Sequence, residues 1–232
     1  MSHIAERLQA VRLRVAAAAA KAQRRPEDID LLAVSKTFSS ECVAEAFAAG
    51  QRSFGENYVQ EALPKIAALA TGAPIEWHLI GPLQSNKTAV VATNFSWVHS
   101  IDRERIAARL SDARPVGVPP LSVCIQVNIS NEASKSGISP DETIALAKAV
   151  ARLPRIRMRG LMGIADPATG DPEVRAQYRL LRNLLDGMRT AGLDVDTLSM
   201  GMSADLEAAI AEGATMVRIG TAIFGDRHRE VG

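Results

Sequence analysis

The sequence predicts an α/β protein that folds as a single (β/α)8 (TIM) barrel over its 232 residues. After Pro26, eight short β-rich runs alternate with helical stretches, and eight parallel strands are the number that closes such a barrel. The first run, residues 31–34, is wholly apolar, which is typical of a parallel strand covered on both faces. The same alternation fits an open doubly wound sheet. No G-x-G-x-x-G segment follows the first run, however, which disfavours a dinucleotide-binding sheet of that kind.

An extra helix is predicted before the barrel. Its apolar residues recur at helical spacing with charged residues between them, which indicates an amphipathic helix packed on the domain rather than a signal peptide. They are Ile4, Leu8, Val11 and Val15. No stretch of the sequence approaches the roughly 20 apolar residues of a transmembrane helix.

The barrel elements follow in order. Strands are predicted at residues 31–35, 52–54, 76–80, 97–99, 121–127, 159–162, 197–199 and 216–219. The helical stretches between them include residues 41–49, 56–70, 141–152, 172–190 and 204–212. Gly50, Gly192 and Gly213 each stand just before a strand, where a glycine commonly ends a helix. Because no low-complexity linker interrupts this pattern, residues 1–232 are expected to form one domain.

Composition narrows the class of protein. Hydrophobic residues make up 47% and charged residues 23%, with a formal net charge of +1, so disordered and fibrous architectures are excluded. The near-neutral charge and the 4% of aromatic residues argue against nucleic-acid or membrane-surface binding. Cys42 and Cys124 lie too far apart in sequence to suggest a disulfide framework or a thiolate zinc site. A reduced cytoplasmic protein is expected.

Polar residues collect at the predicted carboxyl ends of the strands, where a barrel builds its active site. Lys36 follows the first strand, so its amine is expected at the barrel mouth, where partial desolvation favours a nucleophilic amine. The alternative is a surface lysine that simply follows a strand.

The loops after the seventh and eighth strands are where barrels often bind phosphate. Ser199 and Ser203 supply hydroxyls in the first loop, although Ser203 is also a natural helix N-cap. Gly220 and Thr221 follow the eighth strand. A nucleophilic lysine facing these loops suggests a phosphorylated aldehyde or ketone held as a Schiff base, either pyridoxal 5′-phosphate or a sugar phosphate.

Arg218 favours pyridoxal 5′-phosphate over a sugar phosphate. A guanidinium beside the phosphate loops could meet the pyridine nitrogen of that cofactor. An ion pair between Arg218 and a neighbouring carboxylate is the alternative interpretation.

Seven segments carry a family resemblance. They are AVSK (33–36), FGENYVQE (54–61), WHLIGPLQSNK (77–87), HSID (99–102), RGLM (159–162), LSMGMS (198–203) and RIGTAIFG (218–225). In these segments, which run in order along nearly the whole chain, the sequence resembles the pyridoxal phosphate homeostasis protein family. The resemblance implies a fold-type III barrel similar to the N-terminal domain of bacterial alanine racemase.

The resemblance also implies a cofactor and the residues that bind it. Pyridoxal 5′-phosphate would be held as a Schiff base on Lys36, with Arg218 near its pyridine nitrogen and Asn57 lining the pocket. Its phosphate would contact Ser199 or Ser203, together with Gly220 and Thr221. Family members act in vitamin B6 and amino-acid homeostasis as carriers or regulators without established catalysis, and apo-enzymes that use the cofactor are their expected partners. A monomer is expected here, with a dimer left open.

Two enzyme alternatives remain, a racemase that uses the same cofactor and a sugar-phosphate lyase. Two-base racemisation requires a second acid or base on the face opposite the lysine, which racemases of this fold supply as a tyrosine from a second domain and partner subunit. This chain ends at Gly232, soon after the eighth strand, and its only tyrosines, Tyr58 and Tyr178, fall within the barrel. A non-enzymatic role is therefore expected.

The histidines and acidic residues offer no further site. The four histidines lack metal-binding spacing, so no metal site is expected, and His78 is predicted to be a hydrogen-bonded core residue. Glu56 and Glu61 are predicted to be solvated charges at the start of a helix.

Overall fold

The computed structural model describes residues 3–70, 74–130, 132 and 135–225. Eight parallel strands form a closed barrel in chain order, with the last strand paired to the first. The strands are β1 (Asp30–Val34), β2 (Ser53–Glu56), β3 (Glu76–Leu79), β4 (Trp97–Ile101), β5 (Leu121–Val127), β6 (Ile156–Gly163), β7 (Thr197–Ser199) and β8 (Met216–Ile219). The predicted eight-stranded barrel is confirmed.

Helices surround the barrel. They are α1 (His3–Lys21), α2 (Ser40–Ala48), α3 (Val59–Leu69), α4 (Thr88–Asn94), α5 (Glu104–Ala113), α6 (Thr143–Val150), α7 (Asp171–Thr190), α8 (Leu206–Ala211) and α9 (Thr221–Phe224). None of the helices in the described part of the chain has the length and apolar character needed to span a bilayer.

Helix α1 is the predicted extra helix, and its apolar stripe is buried against α2, α8 and α9. On its polar side, the guanidinium of Arg14 forms two hydrogen bonds of 2.6 Å with the carboxylate of Glu207 in α8. Arg14 also donates to the carbonyl of Ser203, at 2.8 Å. The helix therefore holds the loop that connects β7 to α8.

Two predicted boundaries are wrong by three residues, the start of α3 and the start of β6, and the others differ by two residues or fewer. The second strand continues to Glu56, whose carbonyl accepts a hydrogen bond from the N–H of Ile80, so α3 begins at Val59 and not at residue 56. Strand β6 begins at Ile156 and not at residue 159, because Ile156 is already paired with Leu121 of β5.

Gly160 permits the close approach of β6 and β7. A Cβ atom at this position would lie 1.9 Å from the carbonyl oxygen of Thr197 in β7. The pairing of β5 with β6 also shifts register here, between Val123 and Cys124. A glycine at such a bulge lets two backbones meet where a side chain would separate them.

The barrel interior holds a small apolar cluster that is separate from the main core. Most buried apolar residues form one cluster between the barrel and the helices. Trp97, Cys124 and Met162 form the second cluster. Each of these three is adjacent in sequence to a main-core residue, and alternate strand residues point to opposite faces, so the three face inward.

A buried ion pair joins β2 to α3. Glu56, the last residue of β2, is fully buried, and its Oε1 atom accepts from Lys65 Nζ of α3 at 2.8 Å. The same oxygen accepts from the hydroxyl of Ser35 at 2.6 Å, and Lys65 Nζ also donates to the Ser35 carbonyl at 2.8 Å. These hydrogen bonds fix the peptide group that joins Ser35 to Lys36 on the side of β1 that faces α3.

The prediction that Glu56 is a solvated charge is wrong, because Glu56 is buried between β2 and α3, on the same face of the strand as Phe54 of the main core. Its second carboxylate oxygen has no hydrogen-bond partner among the described residues. Burial raises the pKa of this carboxyl above its ordinary value, and the hydrogen bonds from Lys65 and Ser35 only partly oppose that shift.

Lys65→Met is expected to destabilise the protein by about 3–5 kcal/mol, because it leaves the Glu56 charge buried without a cation. The double variant Glu56→Gln, Lys65→Met leaves no buried charge and should recover much of this loss. Urea unfolding at pH 8 measures both effects, with Lys21→Met, a change at an exposed lysine, as the control.

The loss in Lys65→Met should also shrink as the pH falls. The folded-state pKa of Glu56 lies above its unfolded-state value, so lowering the pH protonates the folded carboxyl first and removes the cost of burying its charge. A loss of stability no larger than that of Lys21→Met at pH 8, or one that grows as the solution is acidified, would contradict this account.

Candidate functional site

A cavity of about 310 Å³ opens at the carboxyl ends of the strands. Six of the seven predicted site residues line it: Lys36, Asn57, Ser203, Arg218, Gly220 and Thr221. The rest of the lining consists of Val34, Ile80, Met162, Ile164, Met202 and Ala204. The structure thus brings together residues from both halves of the chain that the sequence predicts to share one site.

Ser199 is the predicted site residue that does not line this cavity. It is fully buried inside the barrel. Its hydroxyl lies 2.8 Å from His99 Nδ1 and accepts from a guanidinium nitrogen of Arg218 at 2.9 Å. Of the two serines that the resemblance offers as phosphate contacts, only Ser203 faces the cavity.

Lys36 leaves the end of β1 in a tight turn. The N–H of Phe38 donates to the Ser35 carbonyl at 3.1 Å, which closes the turn around Lys36. Thr37 has a φ of 68°, a left-handed conformation that is uncommon for a β-branched residue. Its N–H donates to the carboxylate of Glu61 at 3.1 Å. Strain of this kind is found at sites where the surrounding contacts hold the backbone in place.

Asn57 lies in the loop between β2 and α3. Its side-chain oxygen is buried and has no hydrogen-bond partner among the described residues. Gly81 lets the loop after β3 approach the backbone of Asn57 closely, since a Cβ atom at position 81 would stand 2.2 Å from the Asn57 carbonyl oxygen. A buried acceptor without a partner is costly, so this oxygen is suited to a ligand that donates a hydrogen bond.

The loop between β7 and α8 is fixed by contacts that the sequence analysis missed. Asp205 accepts from the N–H of Met202 at 2.6 Å and from the hydroxyl of Tyr178 at 2.8 Å. Gly201 has a φ of 94°, and a Cβ atom there would lie 2.5 Å from that of Ala209. Together with the hydrogen bond from Arg14 to the Ser203 carbonyl, these contacts hold Ser203 at the edge of the cavity. Tyr178 and Asp205 are 27 residues apart, and no local pattern links them.

Arg218 extends from β8 into the floor of the cavity and is 5% exposed. Its guanidinium donates to the carbonyl and the hydroxyl of Ser199 and, at 3.0 Å, to the carbonyl of Gly163. These acceptors are neutral, so the structure gives no support to the alternative of a direct ion pair with a carboxylate among the described residues. Burial lowers the pKa of the guanidinium below its ordinary value.

Comparisons with known proteins agree with this geometry. Residues 7–228 match the family described as alanine racemase, N-terminal domain. The pyridoxal phosphate homeostasis protein of Pseudomonas aeruginosa is 57% identical over 98% of this chain and 97% of its own length. That of Escherichia coli K12 is 55% identical over 98% of both chains.

Solved structures give the same result for the fold. PipY of Synechococcus elongatus with pyridoxal phosphate bound is 36% identical, with a TM-score of 0.84 over 96% of this chain and 100% of that one. Alanine racemase of Corynebacterium glutamicum is 18% identical, with a TM-score of 0.73 over 99% of this chain and 63% of that one, and shows the fold alone. The chain therefore belongs to the alanine racemase N-terminal domain family and, within it, to the pyridoxal phosphate homeostasis proteins.

Proposed function

We propose that this protein binds pyridoxal 5′-phosphate at the carboxyl end of the barrel, attached through Lys36, and takes part in homeostasis of the cofactor and of amino acids. One observation carries the proposal. One cavity is lined by a strand-end lysine, a buried guanidinium, two hydroxyl-bearing loops and a buried amide oxygen that has no hydrogen-bond partner in the described part of the chain. The PipY structure, with the same cofactor bound in a barrel 36% identical to this one, supports it.

The residues that line the cavity fit this cofactor. Lys36 offers an amine for the aldehyde, and the Asn57 side chain lines the same cavity. The hydroxyls of Ser203 and Thr221, with the backbone of Gly220, would hold the phosphate. Arg218 would face the ring nitrogen. The side chains of Val34 and Met162 supply apolar lining for the ring.

When bound, the cofactor would supply an electrophilic aldehyde and an electron-withdrawing pyridine ring. A guanidinium is a donor only and does not act as an acid in proteins, so Arg218 would donate a hydrogen bond to the ring nitrogen and disfavour its protonation. An unprotonated ring withdraws electrons less strongly. This arrangement disfavours reaction at an amino-acid Cα atom.

A carrier role also agrees with the ionisable groups at the site. Lys36 and Arg218 are the only ionisable side chains in the described lining of the cavity. Tyr178 is fully buried and donates to Asp205, and Tyr58 is 51% exposed and outside the lining. We propose that the protein acts as a cytoplasmic carrier or regulator that delivers the cofactor to apo-enzymes, and does not act as a racemase.

Lys36→Ala should abolish covalent attachment of the cofactor, because it removes the amine that the aldehyde meets. Because the side chain lies at a strand end, the free energy of unfolding should change by no more than about 1 kcal/mol. Borohydride reduction followed by peptide mass spectrometry measures the attachment. Lys87→Ala, which changes a lysine after β3 at the same end of the barrel, is the control and should keep it.

An adduct found on another lysine, such as Lys87 or Lys135, would contradict the assignment of Lys36. Wild-type protein that gains neither colour nor an adduct when mixed with the cofactor would contradict the proposed function itself.

The non-enzymatic role predicts slow exchange at the substrate carbon. When the loaded protein is incubated with L-alanine in deuterated water, exchange at Cα followed by NMR should be close to that of the free cofactor, because the described lining of the cavity offers no second acid or base beside Lys36. Racemisation at a turnover on the order of 1 s⁻¹ or faster, and absent from Lys36→Ala, would show that the protein is an enzyme.

A further inference from the structure

A row of polar side chains crosses the barrel interior and ends at the cavity, and all of its members are buried except Glu76, whose side chain is 46% exposed. Glu76 begins the row at the amino end of β3, and His78, His99 and Ser199 connect it to Arg218. Successive members are 3.0, 2.9, 2.8 and 2.9 Å apart. The three middle side chains are fully buried, so they exchange hydrogen bonds within the row and not with bulk water.

The two ends of this row fix the direction of the hydrogen bonds that Arg218 and Glu76 make. Arg218 can only donate, so Ser199 Oγ accepts from it. At the other end, Glu76 also accepts from Trp97 Nε1 at 3.0 Å and from the Ser53 hydroxyl at 3.2 Å. The hydrogen bond from His78 is the main cause that lowers the pKa of Glu76 to about 2, so this carboxyl is ionised and can only accept.

With both histidines neutral, the hydrogens between these ends have one arrangement that satisfies every bond. The Ser199 hydroxyl donates to His99 Nδ1, His99 Nε2–H donates to His78 Nδ1, and His78 Nε2–H donates to Glu76. Both histidines then carry the proton on Nε2. Burial agrees with the neutral forms, since it lowers the pKa of His78 and lowers that of His99 well below its ordinary value.

We propose that Glu76 is a positioning residue for Arg218, acting across the barrel through the His78–His99–Ser199 row. By fixing both histidine tautomers, the carboxylate directs the Ser199 hydroxyl hydrogen toward His99 and a lone pair toward the guanidinium. Hydrogen bonds aligned in one direction strengthen one another, so the acceptor at Ser199 holds Arg218 more firmly at the cavity floor. The expected effect on cofactor binding rests on the proposed function. The expected tautomers of His78 and His99 do not depend on it.

Other charged groups at this end of the barrel are near His78 but outside the row. Asp30 and Arg159 both act on His78 through charge alone, and the Trp97 ring stacks on His78 at 5.2 Å. Asp30→Asn therefore removes one carboxylate from the same end without removing a member of the row. It is the matched control for Glu76→Gln.

The test reads the histidine ring nitrogens of ¹⁵N-labelled protein by long-range ¹H–¹⁵N NMR, without ligand. Wild-type protein at pH 7 should show His78 and His99 neutral with the proton on Nε2. In Glu76→Gln, the amide oxygen should stay with Trp97 Nε1–H, which only donates, and the amide nitrogen should face His78. Both histidines should then move their protons to Nδ1, whereas Asp30→Asn should leave them unchanged.

Cofactor affinity is the second measurement. Glu76→Gln should weaken binding by about threefold to tenfold, the loss expected for part of one charge-assisted hydrogen bond, and Asp30→Asn should not. A wild-type histidine of the row that is protonated on Nδ1 or on both nitrogens would overturn the proposal, and this spectrum requires no variant to fold. Unchanged tautomers or unchanged affinity in Glu76→Gln would overturn it as well. Failure of wild-type protein to bind the cofactor would instead overturn the proposed function, with the row still readable by NMR.

Discussion

Burial of the Arg218 guanidinium inside the barrel is the constraint on which the candidate site depends. Its charge is stabilised by the carbonyls of Ser199 and Gly163 and by the Ser199 hydroxyl, which come from the ends of two other strands. These acceptors converge only when β6, β7 and β8 hold their observed register. The backbone N–H of Arg218 also donates to the carbonyl of Gly201, in the loop that presents Ser203. One residue thereby links closure of the barrel, the cavity floor and the proposed phosphate loop.

The same fold serves racemases and, in this family, homeostasis proteins, so the difference in function is expected in the site and not in the barrel. Here the lining combines one lysine with one buried guanidinium and, among the described residues, no further acid or base. The Glu56–Lys65 pair fixes the backbone that precedes Lys36, through the hydrogen bond from Lys65 to the Ser35 carbonyl. Arg14 and Asp205 fix the loop that carries Ser203. These contacts fix the positions of Lys36 and Ser203 at the cavity.

Much of the fold and the position of the site could be predicted from the sequence. Apolar runs indicate the strands, and glycines that end helices indicate the helix boundaries. Polar residues at the strand ends predicted that Lys36 and the loops after β7 and β8 belong to the site. The expectation that His78 is a hydrogen-bonded core residue is confirmed by its contacts with Glu76 and His99. The inward placement of Ser199 and the burial of Glu56 could not be predicted, because each depends on strand register and on partners distant in sequence.

In the proposed function, one cavity holds both the aldehyde and the phosphate of pyridoxal 5′-phosphate. An absorbance titration that compares this cofactor with pyridoxal, which has the aldehyde but no phosphate, tests it most directly. One equivalent of pyridoxal 5′-phosphate per chain is expected, with pyridoxal bound about a hundredfold or more weakly, since two or more hydrogen bonds to a charged group are lost. Equal dissociation constants for the two compounds would contradict the account.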